Sequence, residues 1–242
     1  MFPIARRRAQ LPVAATLIVN CGSAWLKAHF RVRARWHNLK NMSIKALIFD
    51  VGGVLVRTES LAGREKWARR FGLGPWELHD IVFGSPAAAA ATLGQASDAE
   101  VWAVARAQLN LTPEQLAEFR ADFWAGDRFD DPLLDWIAGK RGPYRTGILS
   151  NAWPAARQFL TSHPKIVAAF EAIVISAEEG LRKPQPEIYE RALKRLNVSA
   201  SEAVFVDDVL ENVAAARAIG LAAIHFKAGL DIPVEMAKLG VG

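Results

Sequence analysis

The sequence predicts an α/β protein, a doubly wound, Rossmann-like parallel sheet interrupted by one α-helical insertion. Three observations carry this. From Ser43 onward, short runs rich in Ile, Val, Leu and Phe recur along the chain. They do not alternate apolar with polar residues, which is the pattern of strands covered on both faces. Helical segments lie between the later runs, and one long stretch has helical pattern only.

The strands are expected at IKALIF (44–49), RTGILS (145–150), AIVIS (172–176), AVFVD (203–207) and LAAIHF (221–226). Helices are expected over Ala155–Leu160, Glu187–Leu196 and Val209–Ile219, the last closed by Gly220. From Thr58 to Asp131 no convincing strand is found. Val101, Trp102, Ala105 and Leu109 make one helical stripe there. Leu116, Phe119, Phe123 and Trp124 make another, behind the start signal Thr112-Pro113-Glu114. Four tryptophans, Trp67, Trp76, Trp102 and Trp124, fall in this insertion, and most are expected to pack in its core. The chain therefore divides into an arm (1–42), an α/β core (43–57 and 132–242) and the insertion (58–131).

The chain of 242 residues carries a net charge of +5, which misdescribes its body. Residues 1–42 hold eight basic residues and no acid, leaving 22 basic against 25 acidic residues in the rest. No nucleic-acid or membrane partner is expected for a body of that balance. The arm suits a disordered or overextended start, since Met42 opens a natural first strand. An Arg-rich transit peptide or a short signal peptide are the other readings. The one cysteine, Cys21, excludes an internal disulfide and fits a reducing, cytoplasmic setting.

In open α/β sheets ligands bind beyond the carboxyl ends of the strands. Asp50 ends the first strand, Ser150-Asn151 the second and Asp207-Asp208 the fourth, and Lys183 lies in the loop after the third. Taken singly, each has a plain structural reading: a solvated lysine, a turn, an acidic helix start. Four complementary sites at strand ends of one sheet point to shared chemistry.

These residues resemble the haloacid dehalogenase-like (HAD) superfamily. Its four motifs stand here in order as FDVGGVL (49–55), LSN (149–151), the lysine of RKPQPEIY (182–189) and FVDDVLENV (205–213). The insertion falls where that family carries a helical cap. ATLGQASDAEVW (91–102) is similar to a Gly-x-x-Ser-Asp cap segment of its sugar-1-phosphatase-like branch. The resemblance implies a Mg²⁺-dependent hydrolase acting on a small phosphorylated metabolite, with a sugar phosphate as one candidate. Asp50 would be the nucleophile, forming an aspartyl-phosphate. Asp50, Asp207, Asp208 and the Gly52 carbonyl would hold Mg²⁺. Lys183 would offset charge, while Ser150, Asn151 and the Gly52-Gly53 amides would meet the phosphate oxygens. Asn212 would order the acidic loop, and His163 and His225 would be structural. Oligomeric state stays open.

One position departs from the pattern. Most phosphatases of the superfamily place a second aspartate where this chain has Gly52, and that side chain acts as general acid and base. Its loss is an effect on the order of 10²–10⁴ in rate. Three readings follow. One is a phosphatase with a modified first motif, in which water or a carboxylate such as Glu59 or Asp98 stands in. Another is a 2-haloacid dehalogenase, which needs neither the acid nor a metal. The third is a non-catalytic binding protein.

Overall fold

The computed structural model describes residues 43–242, so the readings made for the basic arm and Cys21 lie outside the described residues. Those residues form strands β1 (Ala46–Phe49), β2 (Val56–Thr58), β3 (Asp127–Phe129), β4 (Arg145–Ser150), β5 (Ala172–Ile175), β6 (Ala203–Asp207) and β7 (Ala222–His225). Five make one parallel sheet in the order β5-β4-β1-β6-β7. The central β1 pairs with β4 on one side, from Ala46↔Arg145 to Phe49↔Ile148. On the other it pairs with β6, from Ala46↔Ala203 to Phe49↔Val206. Strand order reverses at β1, so the crevice at its carboxyl end lies at the topological switch point.

Helices α1 (Ala62–Phe71), α2 (Pro75–Phe83), α3 (Pro86–Thr92), α4 (Asp98–Gln108) and α5 (Pro113–Trp124) follow β2. After β3 come α6 (Asp131–Ala138), α7 (Ala156–Ser162), α8 (Pro164–Ala169), α9 (Ser176–Glu179), α10 (Pro186–Leu196), α11 (Leu210–Ala218) and α12 (Ile232–Lys238). One face of the sheet, with Leu47, Phe49, Ile148, Val204 and Val206, packs on Leu134 and Ile137 of α6 and Ile166 of α8. The other, with Ala46, Ile48, Leu149 and Phe205, packs on Ile188, Tyr189, Ala192 and Leu196 of α10. Burial on both faces explains why the strands show no polar alternation. Each fully buried Leu, Ile or Phe contributes roughly 1.5–3 kcal/mol to holding this arrangement.

The insertion has a core of its own, built on Trp67, Leu78, Val82, Val101, Trp102, Phe119 and Phe123. Its helices start where the sequence places caps. Ser97 accepts from the Glu100 amide and Thr112 from the Gln115 amide, each in a reciprocal capping box. Two expectations are corrected. The stretch 58–131 does contain a strand, β3, which pairs antiparallel with β2 through Val56↔Phe129, Arg57↔Arg128 and Thr58↔Asp127. Two of the four tryptophans are also not core: Trp67 and Trp102 are buried, but Trp76 is 70% and Trp124 40% exposed. Trp76 is the second residue of α2 and Trp124 the last of α5, where helix ends leave the packed stripe.

Two sets of contacts tie the insertion to the sheet. At the β2–β3 ribbon, Arg57 pairs with Asp130, whose amide donates to the Leu55 carbonyl at 2.9 Å, while the buried Arg64 of α1 braces the insertion's end of the ribbon through Asp127 and the Phe123 carbonyl. On the far side, Trp153 of the β4–α7 loop packs into the insertion's core. Beside it the Asp98 carboxylate accepts from the Ala155 amide at 3.0 Å. Gly94, with φ +72°, runs so close to the Ala177 carbonyl that a Cβ would overlap it. The Gly-x-x-Ser-Asp segment is therefore where the insertion docks on the core. Among the described residues no helix is long and apolar enough to cross a membrane.

Candidate active site

Asp50 directly follows β1, and its amide donates to the Val206 carbonyl, extending the ladder one residue past the strand. The side chain is thus fixed by the central, fully buried strand of the sheet. Its Oδ1 accepts from the Val51 amide at 2.7 Å and lies 2.7 Å from Lys183 Nζ. Lys183 is 3% exposed and reaches inward from the β5–α10 connection. Its three N–H groups meet three acceptors: Asp50, Asp207 Oδ2 at 2.7 Å and the Leu149 carbonyl at 3.0 Å. This is a fully satisfied buried ammonium, not a solvated surface lysine.

Asp207 is completely buried. Its Oδ1 accepts from the Val209 amide at 2.7 Å, and Asn212 Nδ2 lies 3.1 Å from both carboxylate oxygens. Asn212 orders the acidic loop, as expected. Its own carbonyl accepts from the buried Tyr189 hydroxyl at 2.9 Å. His225 Nε2 lies 2.9 Å from the Asp208 carbonyl, so it braces the same loop.

One ligand atom from each of Asp50, Asp207 and Asp208 can lie within 4.8 Å of the others. Three carboxylates here face one ammonium. Burial pushes the Asp50 carboxyl up to about 6 despite the opposing pull of Lys183, with Asp207 adding to the rise. Burial, and then Asp207, also raises Asp208. The cluster is short of positive charge, and its donors are hard oxygens, so the residues fit a small divalent cation such as Mg²⁺.

The glycines after Asp50 differ in kind. Gly53 has φ +73°, and a Cβ there would overlap Asp208 Oδ2. Only glycine lets the turn approach the acidic loop so closely. Gly52 is exposed, and a Cβ added to it meets no atom within 4 Å. Its carbonyl accepts no hydrogen bond among the described residues.

Ser150 ends β4 and is 4% exposed, yet its hydroxyl makes no hydrogen bond among the described residues. Asn151 differs from expectation. Its side chain is occupied by the Lys183 backbone, donating to that carbonyl at 2.9 Å and accepting from that amide at 2.8 Å. The side chain therefore clamps the lysine loop through its oxygen and one of its two N–H groups. Asp98, read as a candidate acid, is engaged in docking at Ala155. Glu59 is exposed and forms no side-chain ion pair or hydrogen bond among the described residues. A cleft of about 650 Å³ lies between α3 and the Lys183 loop, lined by Ala89, Ala90, Leu93, Arg182 and Pro184, with none of Asp50, Asp207 and Asp208 in its wall.

Sequence reasoning missed Tyr189 and the clamp by Asn151. Tyr189 falls on the apolar stripe of α10 and reads as core. An asparagine beside a serine reads equally as turn or ligand.

The family model for haloacid dehalogenase-like hydrolases matches residues 44–220. A sesquiterpene phosphatase of Aspergillus oryzae is 47% identical over 70 residues, which is 29% of this chain and 36% of that protein. A glyceraldehyde 3-phosphate phosphatase of Pyrococcus abyssi is 37% identical over 87 residues, 36% of this chain and 37% of that one. The matched stretch thus spans little more than a third of either relative. A crystal structure of a HAD family enzyme from Bacteroides thetaiotaomicron, in complex with magnesium and inorganic phosphate, superposes with a TM-score of 0.67. It is 22% identical and covers 79% of this chain and 98% of its own, a likeness of fold. With its motifs gathered at one edge of this sheet, the chain belongs to the haloacid dehalogenase-like hydrolase family.

Proposed function

We propose that this chain is a Mg²⁺-dependent phosphatase acting on a small phosphorylated metabolite through an aspartyl-phosphate at Asp50. The observation that carries the reading is the cluster of three carboxylates, Asp50 and Asp207 buried on the Lys183 ammonium and the exposed Asp208 within 4.8 Å of them. Mg²⁺ bound by these carboxylates and the Gly52 carbonyl would neutralise their excess charge and polarise the phosphoryl group.

Asp50 attacks phosphorus in line with the ester oxygen. The new bond joins a carboxylate oxygen to phosphorus, and the P–O bond to the leaving group breaks with its electron pair going to that oxygen. Lys183 holds Asp50 at the angle of attack and offsets the two anions as they meet. The Ser150 hydroxyl, which has no partner among the described residues, donates to a phosphate oxygen, joined by the amides of the Gly52-Gly53 turn. Asn151 contributes by fixing the backbone of Lys183. Gly52 has no side chain to donate a proton, so solvent water protonates the leaving oxygen. Water then attacks phosphorus, releasing phosphate and restoring Asp50. The insertion, 58–131, acts as a cap that excludes bulk water and sets substrate choice.

The dehalogenase reading is disfavoured by the same cluster. Metal-free chemistry on carbon gives no role to Asp207 and Asp208, whose concentrated charge Lys183 alone does not offset. The test is a panel of phosphorylated metabolites, hexose 1-phosphates and p-nitrophenyl phosphate, with Mg²⁺ and with EDTA, beside Asp50→Asn. Metal-dependent phosphate release abolished by the substitution supports the proposal. Halide release from 2-haloacids that survives EDTA selects the dehalogenase, and silence in both assays selects the binding protein.

A further inference from the structure

Three of the exposed large apolar side chains are aromatic rings on one strip of the insertion: Trp76 at 70%, Phe83 at 36% and Trp124 at 40% exposure. The rings touch in series. Trp76 lies 5.8 Å from His79, His79 4.6 Å from Phe83, and Phe83 5.8 Å from Trp124. Phe83 also lies 5.1 Å from Trp153. Trp153 is three residues beyond Ser150, on the loop leaving the carboxyl end of β4, so the strip runs up to the catalytic edge of the sheet. A second observation comes from another loop. Directly after Asp207-Asp208, Val209 and Leu210 are 45% and 60% exposed. Apolar side chains thus border the carboxylate cluster on both the β4 and the β6 loops.

Leaving this much aromatic and aliphatic surface in water is unfavourable unless it has an occupant. A sugar would bring several hydroxyls that need donors and acceptors, whereas the strip offers only the His79 imidazole and the indole N–H groups of Trp76 and Trp124, with no carboxylate or amide among its rings. Its succession of rings also exceeds what a single hexose covers. We infer that the substrate is a monophosphate ester of an extended apolar alcohol, its hydrocarbon body lying along Phe83 and Trp124 and bordered by Leu210. This rests on the phosphatase reading and sharpens it: phosphate binds at the carboxylate cluster, and affinity comes from the chain.

The experiment compares kcat/KM for n-alkyl monophosphates from ethyl to octyl, with Mg²⁺, and with acetyl phosphate as a chain-free reference. A half-open wall gives roughly half the effect of full burial, so each added methylene is expected to raise kcat/KM about twofold. Trp124→Ala and Leu210→Ser should both flatten that slope. Leu210 is exposed, so its substitution keeps the fold intact. Turnover of acetyl phosphate with no chain-length slope overturns the inference while leaving the phosphatase reading in place. If nothing is turned over, tryptophan fluorescence titrations with octylphosphonate and methylphosphonate decide. Tighter octylphosphonate binding, weakened by Trp124→Ala, upholds the strip as a chain site, and equal binding overturns it. A dimer that Trp76→Ser converts to monomer would assign the strip to a second copy of the chain and also overturn it.

Discussion

Gly52→Asp is the most informative single change, because the surroundings of Gly52 separate chemistry from folding. The added Cβ meets nothing within 4 Å, and the backbone φ there lies outside the left-handed range. The substitution should cost little stability and point a carboxyl toward the crevice beside Asp50. If leaving-group protonation limits the native protein, the new acid should accelerate hydrolysis of alkyl esters by an amount on the order of 10²–10⁴. That corresponds to about 3–5 kcal/mol of transition-state stabilisation. Esters whose alcohols leave as stable anions, such as p-nitrophenyl phosphate, should gain little. The assay is kcat/KM across esters of graded leaving-group acidity. The native protein is expected to depend steeply on leaving-group pKa, and Gly52→Asp to depend weakly. A native protein already insensitive to leaving-group pKa would refute the reasoning, since a proton donor would then be at work. Gly53→Ala is the control. Its Cβ would overlap Asp208 Oδ2 at a left-handed φ, so it should lose both stability and Mg²⁺ binding.

Three further outcomes are expected. Lys183→Met strands Asp50 and Asp207 as buried, unpaired carboxylates and should cost about 3–5 kcal/mol in urea denaturation at neutral pH; stability equal to the native protein's would contradict the charge account. In EDTA, the raised Asp50 carboxyl means the folded state holds a proton that the unfolded state has released between pH 4 and about 6. Stability should therefore fall as pH rises through that window, by about 3 kcal/mol, and both Mg²⁺ and Asp50→Asn should flatten the dependence. Asp98→Ala removes the bond to the Ala155 amide and should lower stability by about 1 kcal/mol without altering leaving-group dependence, which separates docking from acid catalysis.

The sheet was largely legible because its physics is local. Strands β4 and β6 fall on the expected residues 145–150 and 203–207, and the other three differ only at their ends. Runs such as AVFVD announce burial on both faces without reference to any partner. The helices α7, α10 and α11 likewise fall within a residue or two of expectation. β3 was not legible. Asp127-Arg128-Phe129 has no apolar run, and it is a strand only because Val56–Thr58 lies opposite it. The site divides along the same line. Asp50, Lys183, Asp207 and Asp208 were readable as strand-end chemistry in a fixed order. What Asn151, Asp98 and Tyr189 do depends on partners 32, 57 and 23 residues away, and no local pattern carries that. Trp76 and Trp124 misled because helical spacing identifies a stripe but not where the packed part of it stops.

In the proposed mechanism Asp50 takes the phosphoryl group in a Mg²⁺-dependent step. Acid quenching during turnover of p-nitrophenyl phosphate, followed by peptide mass analysis, tests it directly. The prediction is a phosphorylated peptide carrying Asp50, formed with Mg²⁺ and absent both in EDTA and in Asp50→Asn. Phosphate release that persists undiminished in Asp50→Asn, with no labelled Asp50 in the native protein, would contradict it.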